Sequence, residues 1–180
     1  MFDTRRLSIL LTTMAVLCFV TSPFTAHGQL APTPGGEPDA PESANLWQQG
    51  DPGQPLRING WVRNTNGKPI VGAVVTVWQA DGTGTYHEDR YRASLRTGKD
   101  GKYRFNTVLP GQTYSVKHIH ILVTHAQYEP VETQILFKGD PHLDEATAAE
   151  LAITLEEGKI KDKTVLFGTF DIVMRPAGSS

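Results

Sequence analysis

The sequence predicts an all-β protein, an antiparallel β-sandwich with one short helix. Short segments rich in β-branched and aromatic residues recur along the chain, and turn-forming residues such as Asn66-Gly67-Lys68-Pro69 separate them. Within residues 102–108 polar and aromatic residues alternate, which places Tyr103 and Phe105 on one face of a strand. Many short strands at such spacing are typical of two packed antiparallel sheets.

Six strands and one helix can be placed in order. The helix is predicted over residues 144–155, where Ala, Glu and Leu dominate; Asp140 can cap it, Pro141 can open it and Gly158 can end it. We expect the folded domain to cover residues 54–176 and a disordered tail to follow at 177–180. The strands are predicted over residues 56–64, 71–78, 102–108, 116–124, 131–137 and 164–174.

The N-terminal region carries the signals of export. Arg5 and Arg6 precede an uncharged apolar run, and small residues follow up to Gly28, so residues 1–28 are predicted to be a secretory signal peptide, with an uncleaved anchor as the alternative. The run is too short for a comfortable membrane span, so we expect no stable membrane insertion after processing and a periplasmic or extracellular protein. Residues 29–53, rich in Pro and Gly, are predicted to be a flexible linker in which Trp47 is the candidate for docking.

Charge and cysteine content exclude several function classes. The net charge of -2 comes from interspersed acids and bases, so no basic stripe predicts binding to nucleic acid. The single cysteine, Cys18, lies in the predicted signal peptide, so the mature chain would hold no disulfide and no reactive thiolate. We therefore expect small molecules or proteins as partners, and an exposed sheet edge leaves room for a homo-oligomer.

One predicted strand carries two histidines on one face. His118 and His120 alternate with isoleucines, so the imidazoles point to one side, about 6–7 Å apart along the chain, and the apolar side chains point to the other. This spacing suits two ligands of one metal ion, and a pair of surface histidines is the alternative. A cupin-type metal site also uses His-x-His but expects a glutamate four or five residues later, where this chain has Thr124 and His125.

Four blocks of sequence follow one another around this strand. They are Ile58-Asn59-Gly60-Trp61-Val62 with Gly67 and Gly72-Ala73; Val77-Trp78-Gln79-Ala80-Asp81 followed by Gly84-Thr85-Tyr86; Gly101-Lys102-Tyr103-Arg104-Phe105 with Pro110-Gly111 and Tyr114; and His118-Ile119-His120 with Thr133-Gln134 and Gly139-Asp140-Pro141. In this order they resemble the intradiol ring-cleavage dioxygenases of catechol and protocatechuate. A lone His-x-His is a weak signal, whereas four blocks in the family's order are specific.

The resemblance implies a mononuclear non-haem Fe(III) held by Tyr86, Tyr114, His118 and His120. It implies an oxidoreductase that uses O2 to cleave a catechol-type ring between its hydroxyl groups and yields a cis,cis-muconate-type diacid. Tyr114 would be the ligand that the substrate displaces and would act as a base, and Gln134 would donate its amide to developing negative charge near the substrate. The donor set also has a chemical rationale, because phenolate is a hard anionic donor that favours trivalent iron.

The chain departs from the family pattern where the substrate would bind. Ser115-Val116-Lys117 stands where the family has Arg-Pro-x immediately before His-x-His, so the arginine that stabilises the substrate is missing. Lys117 is the nearest cation and the candidate substrate-binding residue, although it would point away from the histidines on an ideal strand. Another cation could come from the loop after Tyr86, which carries Arg90, Arg92 and Arg96.

Two alternatives to the enzyme stay open at this point. A non-catalytic transthyretin-like or peptidase-associated sandwich module shares the Gly-x-Val and Gly-x-Pro-x-x-Gly-Ala opening of residues 60–73. The other alternative is an iron-binding relic of the dioxygenase fold whose turnover was lost with the arginine.

Overall fold

The computed structural model describes residues 40–112 and 115–178. Within this part of the chain, eleven strands and one helix follow one another. In chain order they are β1 (Ser43–Asn45), β2 (Pro55–Asn64), β3 (Val74–Gln79), β4 (Arg92–Arg96), β5 (Lys102–Val108), β6 (His118–His125), β7 (Tyr128–Phe137), α1 (Glu145–Leu151), β8 (Ala152–Ile153), β9 (Glu156–Ile160), β10 (Lys163–Thr169) and β11 (Ile172–Met174).

The strands form two sheets that pack face to face around one hydrophobic core. The larger sheet has the order β1-β5-β2-β10-β9, with β11 also paired to β2, and the smaller sheet has the order β4-β3-β6-β7-β8. Five strand pairings are antiparallel. Four others, in which β1, β10, β11 and β8 take part, are parallel. The predicted β-sandwich with one short helix is confirmed, with parallel pairs added.

Alternation along β6 decides which face of the smaller sheet is free. Ile119, Ile121 and Val123 are fully buried in the core between the sheets. Successive side chains of a strand point to opposite faces, so His118 and His120 emerge on the outer face of this sheet. The apolar residues between the histidines therefore hold both imidazoles on one surface.

Gly60 lies on the core side of β2, close to the backbone of Phe170 in the link between β10 and β11. A Cβ atom at Gly60 would overlap the carbonyl oxygen of Phe170 and would lie 2.6 Å from Cε1 of Tyr103. The Tyr103 hydroxyl donates a 2.6 Å hydrogen bond to that same carbonyl, so neither neighbour can move away cheaply.

We expect Gly60→Ala to lower the free energy of unfolding by about 1–3 kcal/mol, because it overpacks a filled core. Urea denaturation measures the loss. Gly67→Asn is the matched control, since Gly67 has a φ of +75° with no atom within 4 Å of its Cβ position, and asparagine tolerates that conformation. Equal unfolding midpoints for the two variants would contradict the expected overlap.

The structure corrects the predicted beginning and end of the sandwich. Residues 43–45, expected in a flexible linker, form β1 and pair with β5, and Leu46 is buried. The predicted strand over residues 164–174 is two strands, β10 and β11, and the break comes where Phe170 N donates to Asn59 O. Within the expected tail, Ala177 N donates to Gln127 O. Backbone hydrogen bonds to β5 at one end and to Gln127, just before β7, at the other therefore extend the domain past the expected limits.

The helix is shorter than predicted and begins with a different cap. The carboxylate of Asp144 accepts hydrogen bonds from the backbone N–H and the hydroxyl of Thr147, which makes Asp144 the N-terminal cap. Asp140, the expected cap, accepts hydrogen bonds from other backbone groups instead. Residues after Leu151 leave the helix because β8 pairs with β7.

The predicted signal peptide lies outside the described residues, together with the first part of the predicted linker. The described part of the chain contains no helix that is both long and apolar enough to cross a membrane.

Candidate metal centre

Three side chains converge on the outer face of the smaller sheet. The hydroxyl oxygen of Tyr86 lies 3.0 Å from Nε2 of His118 and 3.3 Å from Nε2 of His120, and the two Nε2 atoms are 3.1 Å apart. Two ligands that bind one ion through bonds of about 2.0–2.2 Å at roughly right angles lie about 3 Å apart. The three donor atoms thus have the mutual spacing of ligands to a single metal ion.

His118 is held in one tautomer by the backbone just before its strand. Its Nδ1 lies 2.8 Å from the carbonyl oxygen of Val116. Because a carbonyl can only accept a hydrogen bond, Nδ1 must carry the proton, and the lone pair stays on Nε2. A metal-binding histidine is usually oriented in this way. The lone pair of Nε2 is therefore directed toward Tyr86 and His120.

His120 is held by an aromatic neighbour instead. The ring of Trp78, on β3, stacks on the imidazole with 4.9 Å between ring centroids and 7° between planes. Burial, and secondarily the nearby His118, lower the pKa of His120 to about 4. At neutral pH the imidazole is therefore uncharged and has a lone pair available for a metal. The indole N–H of Trp78 is buried and has no partner among the described residues.

The loop between β3 and β4 brings Tyr86 to the histidines, and Asp81 organises this loop. One oxygen of its carboxylate accepts hydrogen bonds from the N–H and hydroxyl of Thr83 and from the N–H of Thr85, at 2.7–3.0 Å. The other oxygen lies 2.9 Å from Nε2 of His87. Four hydrogen bonds on one nearly buried carboxylate fix the backbone on both sides of Tyr86.

Burial raises the pKa of the Tyr86 phenol to about 12. Without a cation the hydroxyl therefore keeps its proton at neutral pH. A bound metal ion reverses this preference, because a strong local positive charge favours the phenolate. The described residues include no group of three or more His, Cys, Asp or Glu side chains that could hold a metal ion. A metal at this position would thus depend on tyrosine as a ligand.

The structure brings together three of the four predicted ligands, and the fourth, Tyr114, lies outside the described residues. Gln134 stands directly opposite His120 in the β6–β7 pairing and is half-buried, so its side chain is on the same outer face. Lys117 precedes β6, and its backbone N–H donates to Asp140 at 3.0 Å.

Of the three arginines predicted on the loop after Tyr86, Arg90 lies on that loop, whereas Arg92 and Arg96 are the first and last residues of β4. Arg90 pairs with the carboxylate of Asp51 at 2.6 Å. Arg92 donates to the carbonyl of Glu88, and Arg96 donates to the carbonyl of Gly72. None of these contacts places an arginine beside the cluster in the role of the family's arginine, which Ser115 replaces.

Sequence reasoning missed the residues that support the ligands. Asp81 and Asp140 both stand in the blocks that carry the resemblance, yet Asp81 had no structural role assigned and Asp140 was expected only to cap the helix. An aspartate in a turn, Asp81 before Gly82 and Asp140 before Pro141, is the available signal, because aspartate side chains commonly bond backbone N–H groups two residues on. Trp78 gave no such signal, since its contact with His120 depends on the register between β3 and β6.

Two cavities lie away from the cluster, along outward-facing residues of the larger sheet. One, of about 580 Å³, is bordered by residues that include Asn59 and Trp61. The other, of about 460 Å³, is bordered by residues that include Trp47, Arg57 and Lys163. The three cluster side chains line neither cavity, so a ligand would reach them from the outer face of the smaller sheet.

A family model described as "Dioxygenase" matches residues 32–176 of this chain. A chlorocatechol 1,2-dioxygenase of Rhodococcus opacus is 30% identical over 189 residues, which cover 87% of this chain and 71% of that protein. Catechol 1,2-dioxygenase 2 of Acinetobacter lwoffii is 34% identical over 134 residues, which cover 60% of this chain and 49% of that protein. The chain thus spans about half the length of the Acinetobacter relative.

A solved structure matches over nearly its whole length. It is the dioxygenase domain of a dioxygenase and carbohydrate-binding protein fusion from the cellulolytic bacterium Streptomyces sp. SirexAA-E. The match has a TM-score of 0.62 and 28% identity and covers 82% of this chain and 97% of that domain.

Proposed function

Because this chain belongs to the intradiol ring-cleavage dioxygenase family, we propose that it uses non-haem Fe(III) and O2 to open a catechol-type ring between its two hydroxyl groups. The product would be a cis,cis-muconate-type diacid. The observation that supports this proposal most directly is the convergence of the Tyr86 hydroxyl and the Nε2 atoms of His118 and His120 within 3.3 Å of one another.

The donor set fits ferric iron. Tyr86, His118 and His120 would hold the ion, with Tyr114 as the fourth ligand. One phenolate and two neutral imidazoles combine a hard anionic donor with two nitrogen donors, which suits a trivalent ion. A bound ferric ion would supply Lewis acidity and access to a second oxidation state, which a catechol needs to react with O2.

The protein's own groups would prepare the catechol for that reaction. Tyr114 would act as the base that takes up a proton from a catechol hydroxyl. The amide of Gln134, beside His120 on the neighbouring strand, would donate to negative charge that develops on the ring oxygens. The indole of Trp78 stacks on one face of the His120 imidazole and covers that face.

Metal analysis, a visible spectrum and oxygen uptake test the proposal together. We expect about one iron per chain, a reddish colour from tyrosinate-to-iron charge transfer, and one O2 consumed for each catechol opened to an ultraviolet-absorbing diacid. Colourless protein after loading with iron would contradict the metal site and would favour the non-catalytic sandwich module. Coloured protein that consumes no O2 with any of a panel of catechols would favour the iron-binding relic, which the Ser115-Val116-Lys117 sequence supports.

Tyr86→Phe should shift or remove the visible band, because it deletes one of the two proposed tyrosinate ligands. It should reduce ring cleavage by at least about 100-fold, because loss of a residue that merely orients a ligand already costs about 10–100-fold. Visible titration with iron and oxygen uptake measure both effects. Tyr128→Phe is the control, since Tyr128 lies on β7 and its ring contacts His125. A Tyr86→Phe protein with an unchanged band would place the colour on another tyrosine.

We also propose that the protein acts outside the cytoplasm. The support is the order of Arg5 and Arg6, the apolar run over residues 7–20 and the small residues up to Gly28. Expression of the full chain followed by fractionation and N-terminal sequencing tests this. A mature protein in the periplasm or medium that begins near residue 29 is the expected result, and an uncleaved cytoplasmic chain would contradict it.

A further inference from the structure

One peptide group links His118 to a carboxylate on another loop. The carbonyl oxygen of the Val116–Lys117 peptide lies 2.8 Å from Nδ1 of His118, which must donate to it. The N–H of the same peptide group donates to Oδ2 of Asp140 at 3.0 Å. A continuous chain of two hydrogen bonds therefore runs from the Asp140 carboxylate through one planar amide to the imidazole.

We propose that Asp140 is a positioning residue that orients His118 through the Val116–Lys117 peptide and strengthens its Nε2 as a metal donor. The inference rests on the proposed function, because it concerns one of the proposed ligands. It assigns a role to a residue of the loop after β7 whose carboxylate bonds the N–H groups of Lys117 and His142 and makes no direct hydrogen bond to the ligands that the structure describes, Tyr86, His118 and His120.

The physical basis is the polarisation of the intervening amide. A carboxylate that accepts from a peptide N–H shifts electron density toward the carbonyl oxygen of that peptide, which becomes a better acceptor. The hydrogen bond from Nδ1 then strengthens, and electron density on the imidazole rises at Nε2. Metal-binding histidines often bond a carboxylate or a carbonyl directly, and here the peptide stands between the two.

Asp140 is itself held in place for this role. Its second oxygen, Oδ1, accepts a 2.9 Å hydrogen bond from the N–H of His142. The ion pairs found within the described part of the chain do not include Asp140, so its charge is not neutralised by a lysine or arginine there. The carboxylate therefore acts on the two peptide groups that it contacts.

The second histidine provides an internal contrast. His120 is stacked on Trp78, and no hydrogen bond to its Nδ1 comes from the described residues. A change at Asp140 should therefore alter the metal centre through His118 alone, and the stacking on Trp78 should persist.

Asp140→Ala, Asp140→Asn and Asp144→Ala are the variants that test the proposal in the full chain. We expect Asp140→Ala to weaken Fe(III) binding by about 10–100-fold. Asp140→Asn keeps an acceptor but loses the charge, so its affinity should lie between Asp140→Ala and wild type. In both, the visible band should move to longer wavelength, because a poorer imidazole donor leaves the iron more electron-poor. Asp144→Ala removes only the helix cap and should leave affinity and band unchanged.

A measurement without metal separates this inference from the proposed function. In the metal-free wild type, ¹⁵N NMR should show His118 as the Nδ1–H tautomer, and Asp140→Ala should give a mixture of tautomers. If the wild type binds no iron, the proposed function fails, and the tautomer ratio still decides whether Asp140 controls His118. The inference is overturned if Asp140→Asn matches Asp144→Ala in iron affinity, band position and tautomer. If circular dichroism shows that Asp140→Ala does not fold, the comparison of Asp140→Asn with Asp144→Ala tests the inference by itself.

Discussion

Replacing His120 with alanine is expected to abolish iron binding and ring cleavage together. The variant deletes one of three donor atoms that lie within 3.3 Å of one another and leaves the Trp78 ring without the imidazole on which it stacks. Iron affinity should fall by more than about 100-fold, because loss of a ligand costs more than loss of a residue that merely orients one. Iron titration followed in the visible region, together with oxygen uptake on catechol, measures both losses.

His125→Ala is the matched control for this variant. His125 ends the same strand, its Nδ1 accepts a 3.1 Å hydrogen bond from Gln127 N, and its ring packs 5.2 Å from that of Tyr128. This change should cost some stability and leave iron binding intact. If both histidine variants lose iron equally, damage to β6 as a whole and not loss of a ligand would explain the effect.

Asp81→Ala should both destabilise the fold and displace Tyr86. It removes the acceptor of four hydrogen bonds at a nearly buried position, so we expect a loss of about 2–4 kcal/mol in the free energy of unfolding. Without these hydrogen bonds the loop should position Tyr86 less well. The tyrosinate-to-iron band of the iron-loaded protein should therefore be weaker. Urea denaturation and the visible spectrum measure the two effects.

Asp100→Ala is the control, because its carboxylate and Lys102, its partner at 2.7 Å, are both 56% exposed in their side chains. Exposed pairs of this kind contribute about 0–1 kcal/mol. An Asp81→Ala variant that is no less stable than Asp100→Ala would contradict the role given to the Asp81 hydrogen bonds.

We expect the Asp81 carboxylate to cause a loss of stability in acid. Burial by itself raises the pKa of Asp81, but hydrogen bonds from His87, from the Thr83 hydroxyl and from the N–H groups of Thr85 and Thr83 outweigh it and lower the pKa to about 2. Because the folded-state pKa is below the unfolded value of about 3.9, the stabilisation is present above pH 4. It is lost as the pH falls toward 2, by about 2 kcal/mol, and Asp81→Asn should flatten this part of the stability curve.

Local patterns were enough to predict the central strands and the histidine pair. The alternation through His118 and Ile119 assigns one face to the core and the other to the imidazoles, and burial of the core face confirms this. The short strands β1 and β9 could not be predicted in the same way. Ser43-Ala44-Asn45 and Glu156-Glu157-Gly158-Lys159-Ile160 lack an apolar alternation, because their stabilisation comes from backbone pairing with β5 and β10.

The amino-acid sequence by itself determined the fold class, because strand patterns depend on residue types at short spacing along the chain. The family and the candidate ligands came from the resemblance of four sequence blocks to a known family. Only the tertiary structure decided that Tyr86 reaches His118 and His120, since 32 residues separate this phenol from His118. It also decided the contacts of three further residues: Asp81 bonds the loop that carries Tyr86, Trp78 stacks on His120, and Asp140 bonds the peptide group that His118 contacts. Such contacts depend on where loops and neighbouring strands meet in space, and hydrogen bonds and ring stacking between distant segments leave no periodic trace in the sequence.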